Sequence, residues 1–300
     1  MVLRYNTIVR GTATGGHKSK RRQRTVCKYC VEHGEGKKWY LNAKNYSNEL
    51  LAKHEDIVKD GVEKIDSVAP LTLGRELNRY RKIPIVRRLI PRITQRKLER
   101  WHFGQVLPIE DVEEIFGFIQ SVVRFPCACR SMLWGRRDQR YCYGIGLGIF
   151  PDQIMGQYPD ITEDLHLEKL QKDEALRALK GHEEQGNLHS VWTFGMPFTG
   201  VICNCTLQDC ITMRASVVYG ARMLMKGECV AHIDIEKCNG CKECMKQCSF
   251  GAITYSSTLG RAKINPQVCW GCGICRIVCG EDAIVLKDRN AIPGLKDNWF

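Results

Sequence analysis

The chain has 300 residues, 44% hydrophobic and 26% charged, with 17 cysteines and a formal charge of +12. This balance excludes a disordered or collagen-like polypeptide, and no run supplies the eighteen or so consecutive apolar residues that a membrane-spanning helix needs. The N-terminal stretch is basic but lacks an apolar signal core, so the expected compartment is cytoplasmic, where cysteine at this density serves as a metal ligand rather than in disulfides.

Residues 1–26 read as a basic flexible arm. Arg21 and Arg22 are followed by polar residues and Cys27, not by the apolar stretch of an export signal. Residues 27–107 form an N-terminal extension. It opens on Cys27 and Cys30 in a Cys-x-x-Cys, with His33 close behind, an arrangement open to metal ligation or to a plain turn. A helix is expected from Ser47 or Asn48 to residue 60, stopped by Gly61. Pro70, Pro84 and Pro91 follow, and residues 75–100 hold ten Lys/Arg against Glu76 and Glu99. That run reads as a solvated face over a packed one, or as a dock for an acidic partner subunit. An anionic membrane surface or a nucleic acid are further alternatives.

Residues 108–228 are expected to be a central, mostly helical, cysteine-containing domain. Val112, Ile115, Phe116, Ile119, Val122 and Val123 recur at helical spacing and predict a helix over 109–124. Thr162 is a suitable cap for a helix reaching residue 184. Residues 187–210 read as strand and turn, and a helix from Leu207 or Ile211 to residue 226 packs Met213, Val217, Val218 and Met223. Gly144, Gly146 and Gly148 lack dinucleotide spacing, since Ile149 stands where the third glycine of that motif would be, and predict a turn.

Six cysteines fall in this domain: Cys127, Cys129, Cys142, Cys203, Cys205 and Cys210. A Cys-x-Cys pair on an extended segment puts both sulfurs on one side, and Cys210 opens a helix, where the backbone dipole favours thiolate. Paired loops of this kind can close over a cluster. With Cys27 and Cys30 they make eight, the number for two more cubanes. One zinc, or a set of buried thiols, is the plainer alternative. Histidines 54, 102, 166, 182, 189 and 232 read as ordinary surface or core residues, and Cys229 as a buried thiol.

Residues 229–290 repeat themselves. Cys238-Asn-Gly-Cys241-Lys-Glu-Cys244-Met-Lys-Gln-Cys248 is followed, thirty-one residues on, by Cys269-Trp-Gly-Cys272-Gly-Ile-Cys275-Arg-Ile-Val-Cys279. Each run is C-x2-C-x2-C-x3-C. Three thiolates on so short a loop can converge on one face of a cube, and Gly240 and Gly271 suit the tight turns required. Two separate zinc sites would instead favour paired C-x2-C units.

This stretch resembles the bacterial-type ferredoxin domain with two [4Fe–4S] clusters. The resemblance implies that the fourth cysteine of each run reaches the other cube. Cluster one then takes Cys238, Cys241, Cys244 and Cys279, and cluster two takes Cys269, Cys272, Cys275 and Cys248. Ser249 and Gly280 stand where the family carries proline. Ile233, Ile235, Ile253, Ile264, Ile274 and Ile284 would form strands and a dry shell, and Trp270 would shield cluster two or touch a partner. More faintly, Pro126-Cys127-Ala128-Cys129-Arg130 ahead of a ferredoxin domain resembles multi-cluster subunits of redox complexes.

The expected fold is therefore α+β: a pseudo-twofold, βαβ-like ferredoxin domain over 229–300, joined to a mostly helical N-terminal region. The expected function is electron relay through at least two [4Fe–4S] clusters, with one or two further clusters open. The expected partner is a flavin- or metal-containing oxidoreductase subunit, with membrane contact only peripheral and through the complex. Metal-bound cysteines are thiolates, so part of the formal basicity disappears on loading. No acid–base pair is visible. The alternatives are a catalytic iron–sulfur enzyme whose central cysteines hold a substrate-binding cluster and, behind it, a nucleic-acid-associated iron–sulfur protein.

Overall fold

The computed structural model describes residues 28–54, 56, 103–136, 138–147, 167–295 and 298–300. The basic arm, Cys27, the 75–100 run, the three prolines and Thr162 lie outside the described residues.

Helix α1 (Lys28–His33) and two 3-10 turns (Trp39–Leu41 and Ala43–Tyr46) bury Tyr29, Cys30, Trp39, Tyr40 and Tyr46. The Ser47 hydroxyl then accepts from the Leu50 amide and caps α2 (Asn48–Lys53), which begins where a helix start was expected. The rest of the expected helix, to residue 60, falls outside the described residues but for Asp56.

The centre of the molecule follows in the order β1 (Gly104–Leu107), α3 (Ile109–Phe118), β2 (Ser121–Phe125), α4 (Ala128–Trp134), β3 (Cys142–Gly146), β4 (Glu168–Leu170), α5 (Lys172–Glu184), β5 (Leu188–Thr193), β6 (Thr199–Cys205), α6 (Ile211–Tyr219) and β7 (Leu224–Met225). The strands form one seven-stranded sheet in the order β4-β2-β3-β6-β5-β1-β7. Its pairings are antiparallel except β1 with β7.

This sheet replaces the mostly helical centre expected from the sequence. Both faces are covered, so β1, β3 and β5 are buried at every position and show no polar–apolar alternation. Buried Gln105, His189 and Ser190, with Gly144 and Gly146, further mask the apolar pattern. The helix expected over 109–124 stops at Phe118, and Val122 and Val123 belong to β2. The β-branched pair continued the helical spacing by coincidence. Of the helix expected from Thr162 to residue 184, the described part runs from Lys172 to Glu184 and follows β4, while its expected start lies outside the described residues. Helix α6 ends at Tyr219, where Gly220 takes the left-handed cap, and residues 224–225 are strand. β1 pairs with β5, so the division expected at 107/108 falls within one sheet unit.

One face packs Leu107, Tyr143, Ile145, Val191 and Ile202 against α3, α5 and the aromatic turns before α2. The other face packs Val106, Leu188, Trp192 and Val201 against Met213 of α6 and against Trp270 and Ile274, which lie in the C-terminal repeat. That repeat contains β8 (Cys229–Ile233), α7 (Glu243–Gln247), β9 (Ile253–Ser256), β10 (Arg261–Ile264), a 3-10 turn (Ile274–Arg276) and β11 (Ile284–Asp288). The outer strands β8 and β11 pair antiparallel, as do the inner ones, β9 and β10. Its core is Val230, Ile233, Ile253, Ala262, Ile284 and Leu295.

Arg289 fastens the repeat to what precedes it. Its guanidinium is fully buried and donates to the carbonyls of Gly227 at 2.7 Å, Cys269 at 2.9 Å and Cys229 at 3.1 Å.

Candidate metal centres

In the C-terminal repeat, Cys269, Cys272 and Cys275 line one cavity together with Cys248 of the first run. Cys238, Cys241 and Cys244 line another together with Cys279 of the second run. Each cavity is thus walled by three neighbours and one cysteine from the opposite repeat. The short elements after Cys241 and Cys272 begin on left-handed residues, Lys242 (φ 71°) and Gly273 (φ 82°), which curl both loops alike. The Cys269 Sγ accepts from the Ala231 amide at 3.4 Å, and the Cys279 Sγ from the Ala283 amide at 3.3 Å. Burial, reinforced by its neighbouring cysteines, pushes the Cys275 thiol up to about 12 and the Cys272 thiol well above its ordinary value. Thiolates there need cationic charge placed among them, which is what iron supplies.

The two cavities differ in exposure. Cys241 is exposed at the first, whereas no cysteine at the second is exposed, and Gly186, Leu188, Phe250 and Trp270 help to line it. Trp270 stacks on Phe250 at 5.0 Å and is buried against the sheet, so it shields this cavity rather than meeting solvent.

The six central cysteines come together on one side of the sheet. Cys142 of β3 stands directly opposite Cys203 of β6, with their sulfurs 3.5 Å apart. Cys205, two residues on, projects from the same face. Cys127 is the N-cap of α4 and Cys210 the N-cap of α6, where its sulfur accepts from the Met213 amide at 3.3 Å. The Cys127-x-Cys129 pair is therefore a helix start, not the extended segment expected. The thiols of Cys142 and Cys205 lie close enough to Cys127, and those of Cys129 and Cys205 to Cys210, to share protons with them. The bonds received from these thiols, helped by the N-cap amides, hold Cys127 and Cys210 low. The same bonds and burial hold Cys129, Cys142 and Cys205 high.

Sequence reasoning missed the role of Arg130, although it directly follows Cys129. Its side chain is 3% exposed, lies 4.0 Å from the Cys205 sulfur, stacks on Tyr141 at 3.6 Å and pairs with Asp209 at 3.1 Å. A buried guanidinium beside several thiols is a counter-charge for thiolates. The residue following a Cys-x-Cys was the available signal.

Cys30 does not join these six. It packs in the core on the other face of the sheet, where its thiol donates to Glu228 Oε1 at 3.2 Å. The count of eight cysteines for two central cubanes therefore loses a member to the fold, and Cys27 lies outside the described residues. His33 lies beside Glu32, and the Cys229 thiol donates to the Gly271 carbonyl at 3.1 Å. His189 is buried on the face away from the cysteines with Asn204 as its partner, and half-buried His182 is bonded to Tyr143. Gly144 and Gly146 lie in β3 rather than in a turn. Among the described residues, no three His, Cys, Asp or Glu side chains are arranged to hold a single metal ion.

Residues 237–284 match the family described as a 4Fe-4S dicluster domain. This part of the chain is an iron–sulfur electron-transfer domain of that class, and the class implies two [4Fe–4S] clusters.

The chain is similar over 54 residues, at 41% identity, to the indolepyruvate oxidoreductase subunit IorA of Thermococcus kodakarensis, covering 18% of this chain and 8% of that one. Over 62 residues, at 39% identity, it is similar to a component of the ion-translocating oxidoreductase complex of Methanosarcina acetivorans, covering 21% and 23%. Over 70 residues, at 31% identity, it is similar to the archaeal-type glutamate synthase [NADPH] of Thermotoga maritima, covering 23% and 14%. The chain thus spans less than a quarter of the length of these curated relatives. No solved structure matches it. Among the described residues no helix is long and apolar enough to cross a membrane.

Proposed function

We propose that the protein is an electron-relay subunit of a larger, cytoplasmic oxidoreductase assembly. Its ligand sets would be Cys238, Cys241, Cys244 and Cys279 for one cluster and Cys269, Cys272, Cys275 and Cys248 for the other. The observation that carries this reading is the crossed grouping of these cysteines around two cavities. Each cube, when bound, accepts and releases one electron at a time. The chain's own contribution is to hold the sulfurs, to donate the Ala231 and Ala283 amides to them, and to keep water from the second cavity with Trp270 and Phe250.

Exposure gives the relay an outer end. Cys241 reaches the surface near Ile235 and Tyr255, both exposed, and a donor or acceptor docking there would meet the first cluster. Two-electron chemistry would belong to a flavin- or metal-containing partner, as an oxidoreductase assembly requires. Anaerobically purified protein should contain about eight or more irons per chain with matching acid-labile sulfide. Reduction should give spin-coupled signals from neighbouring cubanes. Four or fewer irons, or zinc in their place, would remove the relay from consideration.

A further inference from the structure

The dicluster reading leaves the six cysteines on the sheet unused. They come from two stretches far apart in the chain, 127–142 and 203–210, and the fold alone brings them together. Cys142 faces Cys203 across two paired strands with their sulfurs 3.5 Å apart, and Cys127, Cys142, Cys205 and Cys210 share one buried core against which Cys129 and Cys203 pack. The six do not converge on one point, which argues against a lone zinc ion. The eight cysteines of the repeat share that property, because sulfurs around an inorganic core ring several atoms and not one. All six are unpaired as disulfides.

Two features beside the set suit thiolate ligands. Cys127 and Cys210 stand at helix starts, and the Cys210 sulfur accepts from the Met213 amide at 3.3 Å. Arg130 places a buried positive charge against the set, 4.0 Å from the Cys205 sulfur, and pairs with Asp209 beside it. Cys127, Cys142, Cys205 and Cys210 share one core with Trp270 and Ile274, and Cys203, Cys129 and the second cavity's own Cys272 pack against that same core.

We propose that this cysteine group holds a third iron–sulfur cluster, ligated by four of the six thiolates with Cys127 and Cys205 among them, and in electronic contact with the cluster held beside Trp270. Both [2Fe–2S] and [4Fe–4S] cores require four cysteines, so six suffice for either. The site stands without the relay reading; its electronic contact with the neighbouring cluster rests on it. The molecule then carries electrons inward, from the exposed Cys241 end through the dicluster domain to a buried terminus on the sheet.

The test is metal and sulfide counting with spectroscopy on the full chain, purified without oxygen, for the wild type, Cys127→Ser/Cys205→Ser and Cys30→Ser. The wild type should carry two to four irons, with equal sulfide, beyond the eight of the dicluster domain. The double variant should lose only that excess and keep the spin-coupled signals of the paired cubanes, which also shows that it folds. The electron-spin relaxation of the remaining clusters should slow once the third is gone. Cys30→Ser should keep the full count.

Eight irons in the wild type, zinc in place of the excess, or loss of the excess in Cys30→Ser would each overturn the proposal. Fewer than eight irons in the wild type with the central excess still removable by the double variant would instead fail the relay reading and leave this site standing.

Discussion

Gly271 has φ of 72°, and a Cβ there would lie 2.1 Å from the carbonyl oxygen of Cys229. Gly240, its counterpart in the first run, has φ of 77° and would meet the Gly260 carbonyl at 2.2 Å. Backbone oxygens cannot swing aside as a flexible side chain can, so only glycine lets each cysteine loop approach its neighbour this closely. Gly271→Ala should therefore displace the loop between Cys269 and Cys272 and cost the second cluster, about four irons per chain by chemical analysis. Gly251→Ala is the matched comparison. It shares a left-handed φ of 64° but has open space around it. It should retain full iron and lose only about 1 kcal/mol of stability. Equal iron in both variants would show that the close approach at Gly271 does not shape the site.

Within the sheet, β5 and β6 carry two chemistries on opposite faces. Their register sets Ser190 against Cys203 and His189 against Asn204, so cysteines point one way and the histidine–asparagine pair the other. His189 is fully buried, its Nδ1 is 2.6 Å from Asn204 Oδ1, and its Nε2 has no hydrogen-bond partner among the described residues. Burial brings it down to about 4. His182, bonded to the Tyr143 hydroxyl at 2.9 Å, is brought to about 4 mainly by burial and further by nearby His189, Arg124 and Arg130.

Both histidines are therefore neutral when folded, whereas in the unfolded chain they take a proton near pH 6.5. Stability is fully present above that value and is lost as pH falls toward 4, at up to about 1.4 kcal/mol per pH unit for each fully buried ring. His182 is partly open to solvent and should contribute less. Between pH 7 and pH 5 the anaerobic denaturation midpoint should fall for the wild type, and His189→Gln should remove about half or more of that fall. An unchanged pH slope in the variant would mean that His189 is not the group being protonated.

On the scale of the whole molecule, Arg289 ties together the approach to β8, the second cysteine loop and the sheet edge. Lys226 works beside it, donating to Gln267 O at 2.8 Å and to Asn298 Oδ1 at 2.7 Å. On the opposite side the Arg276 guanidinium meets Glu110 of α3. Arg289→Met would leave three carbonyls without their shared donor inside the protein. It should cost roughly 3 kcal/mol of stability, measured by denaturant titration, and should make the dicluster domain more open to protease at its junction with the sheet. A loss below about 0.5 kcal/mol would show that water replaces the guanidinium without penalty.

The two cysteine runs were legible as a dicluster ferredoxin domain because four thiolates closing on one small core need a fixed local spacing, and local spacing is written along the chain. The Ser47 cap and the Cys210 helix start were legible for the same reason, each being an interaction within one helical turn. The seven-stranded sheet was not legible. Its strands are short and covered on both faces, so the alternation that reveals a half-buried strand is missing, and Val122 and Val123 even prolonged a helical pattern. The gathering of Cys127 and Cys129 with Cys203, Cys205 and Cys210 depends on strand pairing across some sixty residues of chain, as does the placing of Cys30 on the opposite face. Contacts of that range are set by which surfaces bury each other, and this was decided only when the chain folded.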